Sequence, residues 1–423
     1  MTRGMPAAAL GISVALGVAA CAQVTQVGDA GNETVQESSG PEAGREPGQE
    51  AVGRVAARGA ENTRTRARAG RPAAGAPWCP ELAGGPVPVA VRGQLAAPGS
   101  GRCRLRPGER PPQFVVISFD GAGVDSQGWF PIFRQAARRN RATLTFFLSG
   151  VYLLPEDRRH LYDPPRHPRG TSRIGFQRRS RIAAQAAQLG AAWREGHEIG
   201  SHFNGHFCGA GGVRTWTADD WRQELEQFYG MVERWRENAS LTHLPDLPFR
   251  IRDTVIGGRT PCLEGDREQM FQAFSAYGWR YDASGIGWVA WPGKRAGLWQ
   301  FPIPSVTIPG TRRRVLGMDY DFFTLHSGAK TRRPHMWSRW KRQTVSTYVA
   351  AVQESLAGDR APVFIGNHFE SWNGGIYMRA LISLMDEVCT RDEVRCVSFE
   401  QLADWLDAQD PGTVERLRAR AEG

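Results

Sequence analysis

Several features are scarce in this chain, and each scarcity removes a class of protein. No Cys-x-x-Cys spacing occurs among the seven cysteines, which leaves a thiolate zinc ribbon without its usual ligand pairs. The N-terminal apolar stretch, residues 6–20, falls short of the ~20 residues a spanning helix needs. No basic stretch is interleaved with aromatics, so nucleic acid is not an expected partner despite a net charge of +10 from 53 basic and 43 acidic residues. Arginine dominates that excess. Its simplest account is a compositional bias spread over solvated faces; contact with anionic wall polymers or headgroups is the alternative. No internal repeat is present, which argues against solenoids and propellers. Between residues 22 and 77 aromatic and β-branched residues are nearly missing, and the segment runs from acidic (Asp29, Glu33, Glu37, Glu42) to basic (Arg64, Arg66, Arg68, Arg71). Such a stretch buries too little surface to offset its chain entropy.

What is present at the N-terminus is Arg3, then the short apolar run, then Val18-Ala19-Ala20-Cys21. Small residues ending in cysteine are the pattern of a bacterial lipoprotein signal. On that reading residues 1–20 are a signal peptide and Cys21 is the lipidated N-terminus. Residues 21–77 are then a disordered tether, and the protein is exported and held by lipid to the extracytoplasmic face of a bacterial cell membrane. An uncleaved anchor is the alternative. Six cysteines remain: Cys79, Cys103, Cys208, Cys262, Cys389 and Cys396. An even number in an exported chain suggests three disulfides, out of about 15 connectivities. Sequence proximity favours Cys79–Cys103 and Cys389–Cys396, leaving Cys208 with Cys262.

Residues 78–112 form a Pro/Gly-rich lead-in. From residue 113 strand-like and helix-like runs alternate as far as 412, followed by a tail over 413–423. The strands expected are 114–119, 143–148, 198–202, 254–259, 279–282, 315–318, 363–368 and 394–398. Helices are expected over 130–139, 182–195, 218–237, 268–277, 343–357, 376–388 and 399–407. Residues 150–179 read as a long inserted loop. This alternation predicts an α/β fold with a parallel sheet, open or closed into a barrel. Polar singletons stand where strands end: Asp120 after Phe114-Val115-Val116-Ile117, Arg259 after Thr254-Val255-Ile256, and His368 after Val363-Phe364-Ile365. With His202 and His206, four residues apart, they would meet on one rim, where a barrel carries its chemistry.

These motifs, taken in order, resemble the polysaccharide deacetylase family (the nodulation-protein-B homology domain), and within it the chitin deacetylases. The resemblance covers residues 114–411. It rests on Ser118-Phe119-Asp120, Gly196-His197-Glu198-Ile199-Gly200-Ser201-His202 with His206, Arg259-Thr260-Pro261-Cys262-Leu263, Tyr281-Asp282-Ala283-Ser284, and Arg360-Ala361-Pro362 leading to His368. The resemblance implies a distorted (β/α) barrel using a divalent ion, Zn2+ or alternatively Co2+. It implies His202 and His206 as metal ligands, Asp120 as catalytic base, His368 as general acid, and Arg259 as the partner of the base. A Lewis acid suits the reaction because an amide carbonyl is a poor electrophile. A polysaccharide bearing N-acetyl groups is the implied partner, with Asp319, Trp372 and Trp299 as candidate substrate contacts. His197 reads as a buried strand residue. Glu198 and Asn204 read as partners orienting an imidazole or as loop hydrogen bonders.

One departure from the family pattern stands out. Two adjacent aspartates are expected, the second a metal ligand, whereas this chain has Gly121 after Asp120. Asp125 is the nearest substitute ligand in sequence; Asp120 itself or water are the other ways to complete the site. The expected function is therefore metal-dependent removal of N-acetyl groups from peptidoglycan or a chitin-like glycan. A non-catalytic glycan-binding envelope lipoprotein on the same fold is the alternative, and a small amide or acyl ester is a third substrate reading. The oligomeric state is not legible.

Overall fold

The computed structural model describes residues 104–106 and 108–419. The signal peptide, Cys21, the tether, Cys79 and Cys103 lie outside the described residues. Among those described, no helix is long and apolar enough to cross a membrane.

The strands are β1 (Gln113–Asp120), β2 (Thr145–Leu148), β3 (Glu198–Ser201), β4 (Gly257–Gly258), β5 (Tyr281–Asp282), β6 (Ile286–Gly287), β7 (Lys294–Arg295), β8 (Leu298–Gln300), β9 (Ile303–Thr307), β10 (Arg314–Leu316), β11 (Val363–Asn367) and β12 (Val394–Val397). The helices are α1 (Trp129–Arg139), α2 (Arg179–Arg194), α3 (Ala218–Glu233), α4 (Trp235–Asn238), α5 (Ile251–Thr254), α6 (Arg267–Ala276), α7 (Asp319–Ser327), α8 (Trp337–Ala357), α9 (Trp372–Val388), α10 (Phe399–Ala408) and α11 (Pro411–Ala419). The main sheet runs β11-β1-β2-β3-β4-β5-β8 in parallel; β7 adds antiparallel at the far edge, and β12 pairs with the first half of β1. Sequence order around the sheet, with β11 returning beside β1, is that of a (β/α) barrel. Its seam between β8 and β11 is closed by little. Gly317 donates to Pro304 and accepts from Gly366, at 2.8 and 2.9 Å, and Met318 makes a single bridge to Gly366. The expected distorted barrel is thus the observed fold.

The strand period explains which side chains reach the inside. All eight residues of β1 are buried, as expected of a parallel strand covered on both faces. Val115, Ile117 and Phe119 join the cluster under the helices, while Phe114 and Val116 join a second cluster with Phe147, Tyr281, Phe301, Phe364 and Phe399. Successive side chains alternate faces, so Ser118 and Asp120 share the inner face with Phe114 and Val116. The same parity puts His202 beyond Gly200, and His368 beyond Phe364 and Gly366, on that face. Gly257 is required by this packing, because a Cβ there would lie 2.4 Å from the Tyr281 ring.

Several expected elements differ. The β-branched run Thr254-Val255-Ile256 does not continue one long strand: residues 251–254 form a helical turn and only Gly257–Gly258 pair. Residues 315–318 were expected in the main sheet; two of them, Val315 and Leu316, belong to β10, antiparallel to β9 in a separate three-stranded sheet with β6. The loop expected over 150–179 carries two short 3-10 turns, Gly150–Leu153 and Glu156–Leu161. The domain also continues past 412, since α11 buries Val414 and Leu417 against the inner cluster.

Candidate active site

Arg259 and Asp120 form the floor of the site. Arg259 Nη1 lies 2.6 Å from Asp120 Oδ1 and 2.8 Å from Ser118 Oγ, and its Nε donates to the Ala283 carbonyl at 2.9 Å. The guanidinium rests over the Phe147 and Phe399 rings at 4.9 and 5.8 Å. The arginine is 0% exposed. A pair buried this deeply is costly to break, about 3–5 kcal/mol when one partner is removed. Burial opposes ionisation of Asp120. The Arg259 charge and the nearby His202 and His368 outweigh it, and the carboxyl is held below its ordinary range.

The two imidazoles sit in a bent loop. Phe203 and His206 both adopt left-handed backbone, φ 57° and 55°, uncommon for non-glycine residues. This turn brings the rings of His202 and His206 to a centroid separation of 5.1 Å. A buried carboxylate clamps it. Tyr162 donates to Glu224 at 3.0 Å while its oxygen accepts from the Gly205 amide, and Glu224 also accepts from the Asn204 amide at 3.0 Å. Burial pushes Glu224 up to about 7, against hydrogen bonds that pull it down. His202 Nδ1 lies 2.8 Å from the Arg259 carbonyl, so that nitrogen carries the proton and Nε2 keeps its lone pair. Burial lowers His202 to about 4 and His206 to about 3. Both are neutral at pH 7, the form that ligates a cation.

The donor chemistry therefore fits a divalent ion at His202 and His206, but the third ligand is not supplied in the way the sequence suggests. Asp125 does not substitute. Its two oxygens accept from the Gln127 and Trp129 amides at 2.7 and 2.9 Å, so it caps the start of α1 instead. Among the described residues no carboxylate groups with both histidines at ligand spacing. The one such trio is His206, Cys208 and Cys262, whose sulfurs are joined to each other. At Gly121 the backbone is left-handed, φ 55°, and a Cβ would meet Ser149 Oγ at 3.5 Å and Tyr152 Oη at 3.6 Å. Ser149 Oγ is buried without a hydrogen-bond partner. Two hydroxyls thus surround the point where the family pattern places its second carboxylate.

His368 lies close enough to Asp120 for each to shift the other's protonation. Its Nδ1 lies 2.8 Å from Asp319 Oδ1, and its amide donates to Asp319 Oδ2 at 2.8 Å. Burial works against protonation of His368, yet the Asp319 carboxylate prevails and raises it to about 9. Asp319 is buried and committed to this histidine and to the Tyr320 amide, so it positions the imidazole instead of presenting its carboxylate as the expected substrate contact. Trp372 is half-buried beside it, 5.5 Å from the His368 ring and stacked on Phe323 at 5.0 Å. Trp299 does not reach the site. It is buried, and its indole donates to Asp407 at 2.9 Å beneath Lys294.

Cys208 is bonded to Cys262 and Cys389 to Cys396. The first bridge ties the loop after His206 to the loop after Arg259. Glu198 lies deep in the inner cluster, accepting from Tyr281, Thr145 and the Glu400 amide. His197 Nδ1 accepts from the Leu144 amide, a structural role. Sequence reasoning missed Ser149, Tyr152, Tyr162 and Glu224. For Ser149 the signal was its position directly after β2, a rim position like that of Asp120, whereas Tyr152 lies in the 3-10 turn that follows.

No family description matches the sequence, and no curated protein is similar to it at a comparable level. Solved structures are. A structure described as a putative polysaccharide deacetylase from Mycobacterium smegmatis is 16% identical, with 75% of this chain and 94% of that chain covered and a TM-score of 0.43. A peptidoglycan deacetylase of Bacillus subtilis is 12% identical over 75% and 97%, with a TM-score of 0.35. A CE4 family pseudoenzyme from Bacillus anthracis is 11% identical over 71% and 68%, with a TM-score of 0.35. At these values the side chains described above, not the likeness, carry the chemistry.

Proposed function

We propose that this chain is an exported hydrolase that removes N-acetyl groups from an N-acetylglucosamine-type polysaccharide, peptidoglycan or a chitin-like glycan, with a divalent ion, Zn2+ or Co2+, at His202 and His206. One observation carries this reading. A carboxylate paired with a buried arginine, an imidazole paired with a buried carboxylate and two imidazoles 5.1 Å apart lie close enough to shift one another's protonation, the first held ionised, the second protonated and the last two neutral. An ion bound there would polarise the acyl carbonyl and acidify water.

The chain's own residues do the rest. Asp120 accepts the proton of the attacking water, and Arg259 keeps it aimed and ionised. His368, its Nδ1 engaged by Asp319, donates the Nε2 proton to the departing nitrogen as the C–N bond breaks, giving acetate and a free amine. Trp372, beside the acid, offers a ring face for the sugar. The lipid anchor at Cys21 would place this chemistry at the outer face of the membrane.

The test is acetate release from N-acetylglucosamine oligomers with added zinc or cobalt. Release well above that of an Asp120→Asn, His368→Ala double variant is expected. Equal release from both sinks the proposal. Gly121 favours a second reading, glycan binding without turnover. It predicts no metal at purification and sugar binding that survives His202→Ala; the proposed hydrolase predicts metal that this variant loses.

A further inference from the structure

Trp288 is the outlier among the tryptophans. Every other one among the described residues is buried or half-buried, whereas Trp288 is 61% exposed and its neighbour Ile286 is 64% exposed. An indole in water forgoes the gain of burying it, and here Trp288 and Ile286 are exposed together with a cavity beside the ring, an apolar surface that a ligand can cover. Arg314 lies over one face of the ring, 4.3 Å from its centre. That guanidinium is itself held flat: Nη1 donates to Thr307 Oγ1 at 3.1 Å, Nε donates to Ser305 Oγ at 3.4 Å, and Nη2 donates to the Ser305 carbonyl. The exposure of Trp288 therefore belongs to its other face and its edges.

Beside the ring is a cavity of about 270 Å³, lined among others by Trp288, Thr307, Arg314, Glu354 and Asp359. An apolar plate next to carboxylates, hydroxyls and a guanidinium is the chemistry that recognises a sugar: the plate takes the C–H face, and the polar groups take the ring hydroxyls. The volume lies below the roughly 300–1,000 Å³ of a drug-sized ligand site, so it suits one sugar residue.

Its place in the fold separates it from the catalytic rim. Asp359 lies between the end of α8 and the start of β11, whereas His368 follows the other end of that strand. The length of β11, about 16 Å at its strand rise, lies between them. We infer that Trp288 with Arg314, Glu354 and Asp359 forms a second, non-catalytic site for a sugar residue of the same polymer. It rests on the proposed function only for the identity of the polymer. Two points of attachment raise the effective concentration of a long chain at the rim, with no effect on a fragment too short to span them.

The experiment uses the full chain. In an Asp120→Asn background, retention on insoluble peptidoglycan and on insoluble chitin is measured with and without Trp288→Ala. In an otherwise unchanged chain, Trp288→Ala is assayed for acetate release from the N-acetylglucosamine dimer. The expected result is at least tenfold weaker retention of the Trp288→Ala chain, with dimer turnover within about twofold of its parent. Equal retention overturns the site, as does no retention of either chain. Retention on intact peptidoglycan that disappears once its peptides are stripped gives the surface to a peptide and also overturns it. Trp288-dependent retention without acetate release from any substrate removes the hydrolase proposal and leaves this site standing. Normal release with equal retention does the reverse.

Discussion

Two buried carboxylates on inward-facing strand positions, Glu198 and Asp120, are used in opposite ways. Glu198, deep in the barrel, is fully engaged: it accepts from Tyr281 at 2.7 Å, Thr145 at 2.8 Å and the Glu400 amide at 2.9 Å, all uncharged donors. Asp120, at the rim, is bonded through one oxygen to a single arginine. Around it lie atoms without partners, Ser149 Oγ and Arg259 Nη2, and left-handed residues at 121, 203 and 206. Complete satisfaction makes a structural joint. Incomplete satisfaction, with strain held by the surroundings, is what a reacting site requires.

The largest expected break of this contrast is kinetic. Asp120→Asn should lower kcat/KM about 100- to 10,000-fold, whereas Glu198→Gln should leave it within about threefold. Denaturant unfolding should show Asp120→Asn losing about 3–5 kcal/mol, since it leaves the Arg259 charge buried without its partner, and Glu198→Gln losing about 1–3 kcal/mol. If Asp120→Asn stays active, the rim carboxylate is only another joint. Next in size is a pH effect. His368 is protonated below about 9 and loses that proton as pH rises through it, while Asp120 is ionised from below its ordinary range upward. Activity should therefore hold across neutrality and fall above about 9. In Asp319→Asn the alkaline limb of the kcat/KM profile should move down toward the ordinary histidine value of 6.5. A limb that stays in place removes Asp319 from the role of positioning residue. The smallest effect sharpens the comparison. Gly121→Asp fits sterically, since its Cβ would meet only ordinary contacts at 3.5–3.7 Å and Ser149 is ready to donate to it. Aspartate also tolerates the left-handed backbone. Zinc affinity, measured against a competing chelator, should rise at least tenfold, about 1.4 kcal/mol.

Much of the rim was legible because strand parity is legible. Wherever β1, β3 and β11 have long buried runs, the polar residue ending each run had to face inward. Elements of two residues carry no period, so β6 and β7 were invisible, the strands expected over 254–259 and 279–282 shrink to the two-residue β4 and β5, and Thr254-Val255-Ile256 looked like a strand while beginning in a helical turn. Trp299 was misplaced because it sits in the middle of β8 instead of past its end, and its indole is engaged by Asp407. Asp319 was located but not its task, since a carboxylate's hydrogen-bond partner 49 residues away is a tertiary fact. The space at Gly121 was foreseen as a missing ligand. That two hydroxyls border it was not.

The bridge between Cys208 and Cys262 spans 54 positions in sequence, against 7 for Cys389 and Cys396. On the chain-entropy account, denying the denatured chain that much freedom is worth about 4 kcal/mol, against about 2.5 for the shorter one. A rim that leaves Ser149 Oγ and Arg259 Nη2 without partners is thus secured also by what the unfolded polymer is forbidden to explore.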